Sequence, residues 1–388
     1  MENAIAWIRF QQTFGRGSTR GQDLLTRLGH PCALFEMSGN SLAASSLLKP
    51  REVERLQGDG SEEKAQEILE RCHSLGFDVL TPDDEGYPQR LREVYGCPAA
   101  LYLRGSLAGL DSCLSIGMVG TRKNTGYGEQ VAEHIAGELA KKGAVIVSGL
   151  ARGIDTISHT ATLKAGGRTV AVLGCGLDMT YPPENRQLGE LILRYGGALV
   201  SEYPPGTPPL PRHFPTRNRI ISGLSCGIVV VEGNRHSGSL ITAGHAFTQN
   251  RDVFAVPGSI FSEPSSGPNY LLRQGAIPVD GVESILEEFR HLIRPEEPAP
   301  EKNPSLFEEL EQKGYNEERK PQPLRKAPPG YLTETQQKVY RALAGGGERT
   351  ADEIVQECGL PLPAALSALT QLEIFGLAKL HPGKRFSL

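Results

Sequence analysis

Residues 114–155 read LSIGMVGTRKNTGYGEQVAEHIAGELAKKGAVIVSGLARGID. Two apolar runs, residues 114–119 and 144–147, flank GEQVAEHIAGELAKKG, in which Val131, Ile135 and Leu139 recur every four residues and Gly143 supplies a stop. Apolar residues at that spacing predict an amphipathic helix, and runs that are apolar at every position predict strands covered on both faces. Strand, helix and strand in this order make a parallel unit with a right-handed crossover.

The alternation continues outward. Further strand-like runs fall at residues 169–173, 198–200, 228–231 and 253–256, with a shorter one at 277–279 and helix-like segments between them. The expected class is therefore α/β, with a Rossmann-like, doubly wound, mostly parallel sheet over residues 86–290. Ahead of it, residues 1–85 read as short helices in a small SAM-like or helix-hairpin-helix-like domain. Thr19-Arg20-Gly21-Gln22 has capping-box spacing, and Ser61 caps SEEKAQEILERCHSLG. The segment GRGSTR is a weak hairpin signal for touching a nucleic-acid backbone.

Residues 291–328 mix prolines with charges of both signs and hold few apolar residues, as a flexible linker does. Residues 329–388 are patterned again. TETQQKVYRALA is helical, Thr350-Ala351-Asp352-Glu353 is a capping box, and Gly359 ends the second helix. A third helix runs from Pro363 to Phe375, and a hairpin turns at Pro382-Gly383, together predicting a winged-helix domain. The third helix contains no lysine or arginine, so a protein-contact or packing role stands beside duplex reading.

The 388 residues suffice for two or three domains, and a net charge of −4 argues against a globally basic protein while leaving room for a local basic pocket. Seven cysteines, with no C-x-x-C pair, suit reduced thiols rather than a structural metal site. MENAIAWIRFQQTFG lacks the basic and apolar regions of a secretion signal, and no apolar run is long enough to span a bilayer. A cytoplasmic protein with no membrane partner is expected.

Ligands of open parallel sheets bind at the carboxyl ends of strands, against helix N-termini. The segments that follow the predicted strands share one chemistry. They are Gly120-Thr121-Arg122, then Ser148-Gly149-Leu150-Ala151-Arg152-Gly153, then HFPTRNR from His213 to Arg219, and Ser237-Gly238-Ser239. Glycines and small hydroxyls let backbone amides approach an anion, and arginines offer paired donors to phosphate oxygens. Phe214 is either a packing aromatic or a platform for a nucleic-acid base. Asp155 and His159, four apart, predict a structural hydrogen bond, and Glu202 and Glu232 cap or orient arginines. The P-loop signature is absent, and Gly174-Cys175-Gly176 lacks the third glycine of the dinucleotide fingerprint. On the residues alone, the reading stops at an anion site.

The same residues resemble the DNA-processing protein A family (DprA/Smf). The resemblance runs through Tyr87-Pro88, LYLRG (101–105), VGTR (119–122), SGLARGID (148–155) and AVLGCGLDMTYPPEN (171–185). It continues through SEYPPG (201–206), FPTRNRIISGLS (214–225), SGSLITA (237–243), AVPG (255–258) and GPNYLLRQGA (267–276). Two departures are a serine before His159, where the family often has alanine, and a front hairpin more polar than usual. The resemblance implies a protein of natural transformation that binds and protects single-stranded DNA and helps load the RecA recombinase. It also implies a homodimer formed through the sheet domain, without known cofactor or catalysis. Carried over residue by residue, the DNA-binding positions are Arg122, Ser148, Gly149, Arg152, Phe214, Arg217, Asn218, Arg219, Ser237, Gly238 and Ser239.

Two other classes remain in view. The sheet is also similar to phosphoribohydrolases that act on nucleotide monophosphates through a P-G-G-x-G-T-x-x-E loop. In this chain His245 falls near the position of that glutamate, which removes the acid–base group such hydrolysis needs. A ligand-sensing winged-helix regulator is the other, and the uncharged third helix of the tail counts against it.

Overall fold

A computed structural model of the chain describes residues 2–37, 47–292, 332–343, 349–374, 377–381 and 385–387, and the chain divides into two units, Met1–Pro304 and Ser305–Leu388. Apart from its first two residues, the predicted linker at 291–328 lies outside the described residues, as does the Pro382-Gly383 turn.

The first unit is built on nine strands: β1 (Asp78–Leu80), β2 (Leu101–Gly105), β3 (Ser115–Val119), β4 (Val145–Ser148), β5 (Thr169–Leu173), β6 (Ala198–Ser201), β7 (Gly227–Val230), β8 (Asp252–Ala255) and β9 (Ile277–Pro278). Their order in the sheet is β1-β2-β6-β5-β4-β3-β7-β8-β9. From β6 to β9 every pairing is parallel, while β1 and β2 add antiparallel strands at one edge. The chain winds outward in one direction from β3 through β4, β5 and β6. It then returns to pair β7 with the other side of β3 and winds outward again. The reversal between β3 and β7 is a topological switch point, where the loops leaving two adjacent strands diverge and open a crevice.

Neighbouring residues of the central strands feed opposite faces, as a doubly covered sheet requires. Val145 and Val147 join one apolar cluster with Ile220, Ile221 and Leu224 of the helix His213–Gly223, while Ile146 joins Ile116 and Met118 on the other face. That second face is covered by the helix Gly126–Lys141, where Ala132, Ile135, Ala136 and Leu139 are buried. Each fully buried valine or isoleucine contributes roughly 1.5–3 kcal/mol. Gly143, at φ +78°, follows this helix in a backbone region that side chains rarely adopt.

The front helices Glu2–Phe14, Thr19–Leu28, Cys32–Phe35 and Pro50–Gln57 share a small core around Trp7, Phe10, Phe14, Leu24 and Leu34, while a fifth, Glu62–Ser74, packs Ala65 and Leu69 against Ile8 and Ala100. Ser18, one residue before the expected Thr19, caps the second helix by accepting from the Gly21 amide, and Ser61 caps the fifth as its spacing predicts. β1 lies within residues 1–85 yet pairs into the main sheet, and Gln11 Nε2 donates to the Ala100 carbonyl at 2.7 Å. The GRGSTR segment packs inward. Arg16 sits over the Tyr203 ring at 5.5 Å, Arg20 pairs with Glu52 at 2.6 Å, and Gly17 abuts the Arg219 side chain.

In the second unit, helices Glu334–Leu343, Ala351–Cys358 and Leu362–Ile374 accompany a three-stranded antiparallel sheet from Arg349–Thr350, Lys379–His381 and Arg385–Ser387. Thr350 and Glu353 form the reciprocal capping box that their spacing predicts, and Gly359 ends that helix at φ +66°. Three helices and a small sheet are the expected winged-helix arrangement.

Candidate nucleic-acid interface

The loops leaving β3 and β7 meet at the switch point around a cavity of about 700 Å³. Gly120 to Lys123 come from the first loop, and Asn234, His236 and Ser237 from the second. The floor and far wall come from Ala151 and Asp155, Tyr181, and the start of the helix His213–Gly223. Glu232 ties the two loops together. Its carboxylate accepts from the Thr125 amide at 2.9 Å and the Thr125 hydroxyl at 2.5 Å, so it secures the Gly126–Lys141 helix start rather than an arginine. Gly128 leaves room for that carboxylate, because a Cβ there would strike it.

The loop after β4 is held by buried side chains. Asp155 accepts from the Gly149 amide at 3.1 Å and the Ala151 amide at 3.3 Å, and Asn185 Nδ2 donates to the Leu150 carbonyl at 2.9 Å. His159 Nε2 accepts from the Leu150 amide at 3.3 Å, while its Nδ1 lies 2.7 Å from Thr169 Oγ1. Thr169 in turn donates to the Ile146 carbonyl, so this network assigns the imidazole hydrogen to Nδ1. Burial drives the His159 pKa down to about 3, which keeps the ring neutral. Burial also raises the Asp155 pKa, with Arg217 pulling it back. Asp155 and His159 therefore do not bond each other as expected. Each clamps the loop, in which Leu150 adopts φ +56°.

The predicted site residues divide by position. Arg122 and Phe214 come together, with the guanidinium 5.5 Å from the ring centroid, and Arg217 approaches the same ring at 6.0 Å. Asn218, Ser237, Gly238 and Ser239 line the same cavity, and Asn218 Nδ2 donates to the Gly238 carbonyl at 3.2 Å. Ser237 caps the helix Gly238–Thr248 by accepting from the Ser239 amide, which sets that helix's positive end at the cavity. Gly149 and Arg152 border an adjoining recess with Tyr181, and Arg152 pairs with Glu184.

Two expectations need correction. Ser148 is fully buried, and its hydroxyl donates to the Met118 carbonyl at 2.6 Å, spending it inside the sheet. Arg219 points away from the cavity and forms a buried ion pair with Glu202 at 2.6 Å. Residues two apart on a helix lie on opposite sides, so Arg217 and Arg219 have no common face.

Arg217 is 4% exposed, and its Nη1 donates to the Val172 carbonyl at 2.5 Å. Its Nε is buried without a hydrogen-bond partner among the described residues. Burial lowers its pKa, Asp155 opposes that shift, and Arg122 adds to it. Sequence reasoning passed over Tyr181, whose ring lies 5.4 Å from that of Phe214, and Lys123 beside Arg122. Lys123 is legible as a second cation after a strand, whereas nothing near Tyr181 in the chain signals its pairing with a ring 33 residues away. Among the described residues no cluster of His, Cys, Asp and Glu is arranged to hold a metal ion, and no helix is long and apolar enough to cross a membrane.

Comparison with known proteins gives this pocket its context. Residues 78–290 match the family described as DNA recombination-mediator protein A, and residues 321–384 match the DprA winged helix domain. The DNA processing protein DprA of Bacillus subtilis is 46% identical over 226 residues, covering 58% of this chain and 76% of its own. The solved structure of DNA processing protein A from Streptococcus pneumoniae aligns at a TM-score of 0.62 and 34% identity, over 72% of this chain and 95% of that one. The Helicobacter pylori protein, whose structure was solved for its single-stranded DNA binding mode, aligns at 0.51 and 30% identity, over 56% and 97%. Sheet, switch-point loops and tail thus all fall within one lineage, and the chain belongs to the DNA-processing protein A (DprA/Smf) family.

Proposed function

We propose that this protein binds single-stranded DNA in the switch-point cavity and acts as a recombination mediator that protects the strand and loads RecA onto it. The observation that carries the reading is the Tyr181–Phe214 ring pair flanked by the guanidinium groups of Arg122 and Arg217. Rings take base faces without regard to sequence, and arginines take phosphates. Single-stranded DNA can splay its bases onto such a platform, whereas a duplex keeps them stacked inside. The described single-stranded DNA binding of the H. pylori relative supports the same ligand. RecA loading, a homodimer through the sheet unit and action without a cofactor follow from the family resemblance, and a cytoplasmic location from the sequence pattern; all belong to this proposal.

Of the cavity-lining residues, Asp155 is the single carboxylate, and two backbone amides occupy it. That favours binding over hydrolysis of a nucleotide. The test is titration of oligothymidine and of duplex DNA across a salt series. Steep, salt-sensitive binding of the single strand is expected. Equal affinity for duplex, or release of free base from nucleotides, would contradict the proposal.

A further inference from the structure

The cations of the cavity stand at two depths. Arg122 and Lys123 are exposed, whereas Arg217 is 4% exposed and packs against Gly149, where a Cβ would occupy the place of the guanidinium. Its Nη1 is held by the Val172 carbonyl, and its buried Nε lacks a partner among the described residues. The neighbouring Asp155 carboxylate is taken up by the Gly149 and Ala151 amides.

Depth selects between two kinds of phosphate. A phosphodiester is esterified on two sides, so bringing one to a recessed guanidinium requires both flanking sugars to enter and leave the cavity. A phosphomonoester is tethered on one side and can project inward alone, presenting three oxygens to the planar fork of an arginine. A cavity of about 700 Å³ also falls in the size range of sites that enclose a small ligand, such as a terminal nucleotide.

Building on the single-stranded DNA reading above, we infer that the pocket receives the phosphorylated end of a strand. The terminal phosphomonoester lies on Arg217, the adjoining base on the Phe214 and Tyr181 rings, and the next internal phosphates at Arg122 and Lys123. A 5′ and a 3′ monoester share this chemistry, and the experiment separates them.

Three oligothymidines of equal length, with a 5′-phosphate, a 3′-phosphate or hydroxyls at both ends, are titrated against the full chain. A dihydroxyl strand one nucleotide longer controls for the added charge. One phosphorylated strand is expected to bind about tenfold tighter than either dihydroxyl strand. The matching thymidine monophosphate should displace it, and thymidine should not. Arg217→Lys keeps a cation but loses the fork, and should bring the ratio towards one. Arg122→Ala should weaken all strands alike and preserve the ratio. Equal affinities in the unmodified protein overturn the end-binding inference and leave single-strand binding standing. Failure of every strand to bind overturns both.

Discussion

Arg217 and Arg219 sit two residues apart on one helix and serve opposite sides of it. Arg217 Nη1 reaches the Val172 carbonyl at 2.5 Å on the cavity side, and Arg219 Nη2 reaches Glu202 Oε1 at 2.6 Å beside the front helices. The first arginine lines the switch-point cavity. The second joins the sheet to the front module, since Gly17 of that module lies against its side chain.

Arg219→Ala should therefore act on stability. Glu202 is 2% exposed, and removing its partner strands a buried carboxylate, a loss of roughly 3–5 kcal/mol. Urea unfolding monitored by circular dichroism measures this, and the folded variant should bind oligothymidine within about twofold of the parent. Unchanged stability together with lost DNA binding would return Arg219 to the binding surface.

Arg122→Ala should do the reverse. The side chain is exposed, so the unfolding midpoint should not move. Loss of one phosphate contact on a single strand should lower the slope of log affinity against log salt by about 0.7. A full salt series is the check, because affinity at one concentration does not separate a phosphate contact from a change of shape.

Phe214→Ala should weaken single-strand binding by about 1–3 kcal/mol, the scale of one base–aromatic stack. Phe214→Trp should preserve binding and add a fluorophore to a chain whose single native tryptophan is Trp7 of the front module. Its emission should be quenched when oligothymidine is added. Full affinity in the alanine variant would assign Phe214 to packing over Gly174, which its ring also contacts.

Acid should loosen the loop after β4 through His159. Its pKa falls from 6.5 to about 3 on folding, because burial penalises the charged ring. A depressed folded pKa gives stability that is present above pH 6.5 and is lost as pH falls towards 3. At 1.36 kcal/mol per pKa unit, this group alone costs about 2 kcal/mol by pH 5. His159→Gln removes the titrating ring, so the difference in unfolding free energy between variant and parent should shrink by that amount from pH 7 to 5. A pH-independent difference would exclude the assignment.

Much of the architecture is legible along the chain. The seven parallel strands lie within two residues of their apolar runs, because strands covered on both faces must be apolar throughout. Ser61, the Thr350–Glu353 box and Gly359 mark helix ends where their local chemistry predicts. β1 and β2 escape the reading. They pair antiparallel at an edge, and they carry no crossover helix to announce them. The loop after β4 is legible as a glycine-rich turn, but its fastening is not: Asp155 and His159 of the following helix each bond the loop and not one another, and Asn185 reaches it from 35 residues away.

The order of the seven parallel strands, the sheet class and the set of loops rich in glycine, hydroxyl and arginine can be read along the chain, because these depend on local periodicity and on which residues precede and follow each strand. The tertiary structure alone decided which side chains share a surface. Helical rotation sends Arg219 to Glu202 while Arg217 stays at the cavity. The return of the chain from β6 to β7 sets the loops after β3 and β7 side by side, although 111 residues separate Gly120 from Val231. Tyr181 meets Phe214 for the same reason: strand pairing, and not nearness in the chain, sets the distance between them.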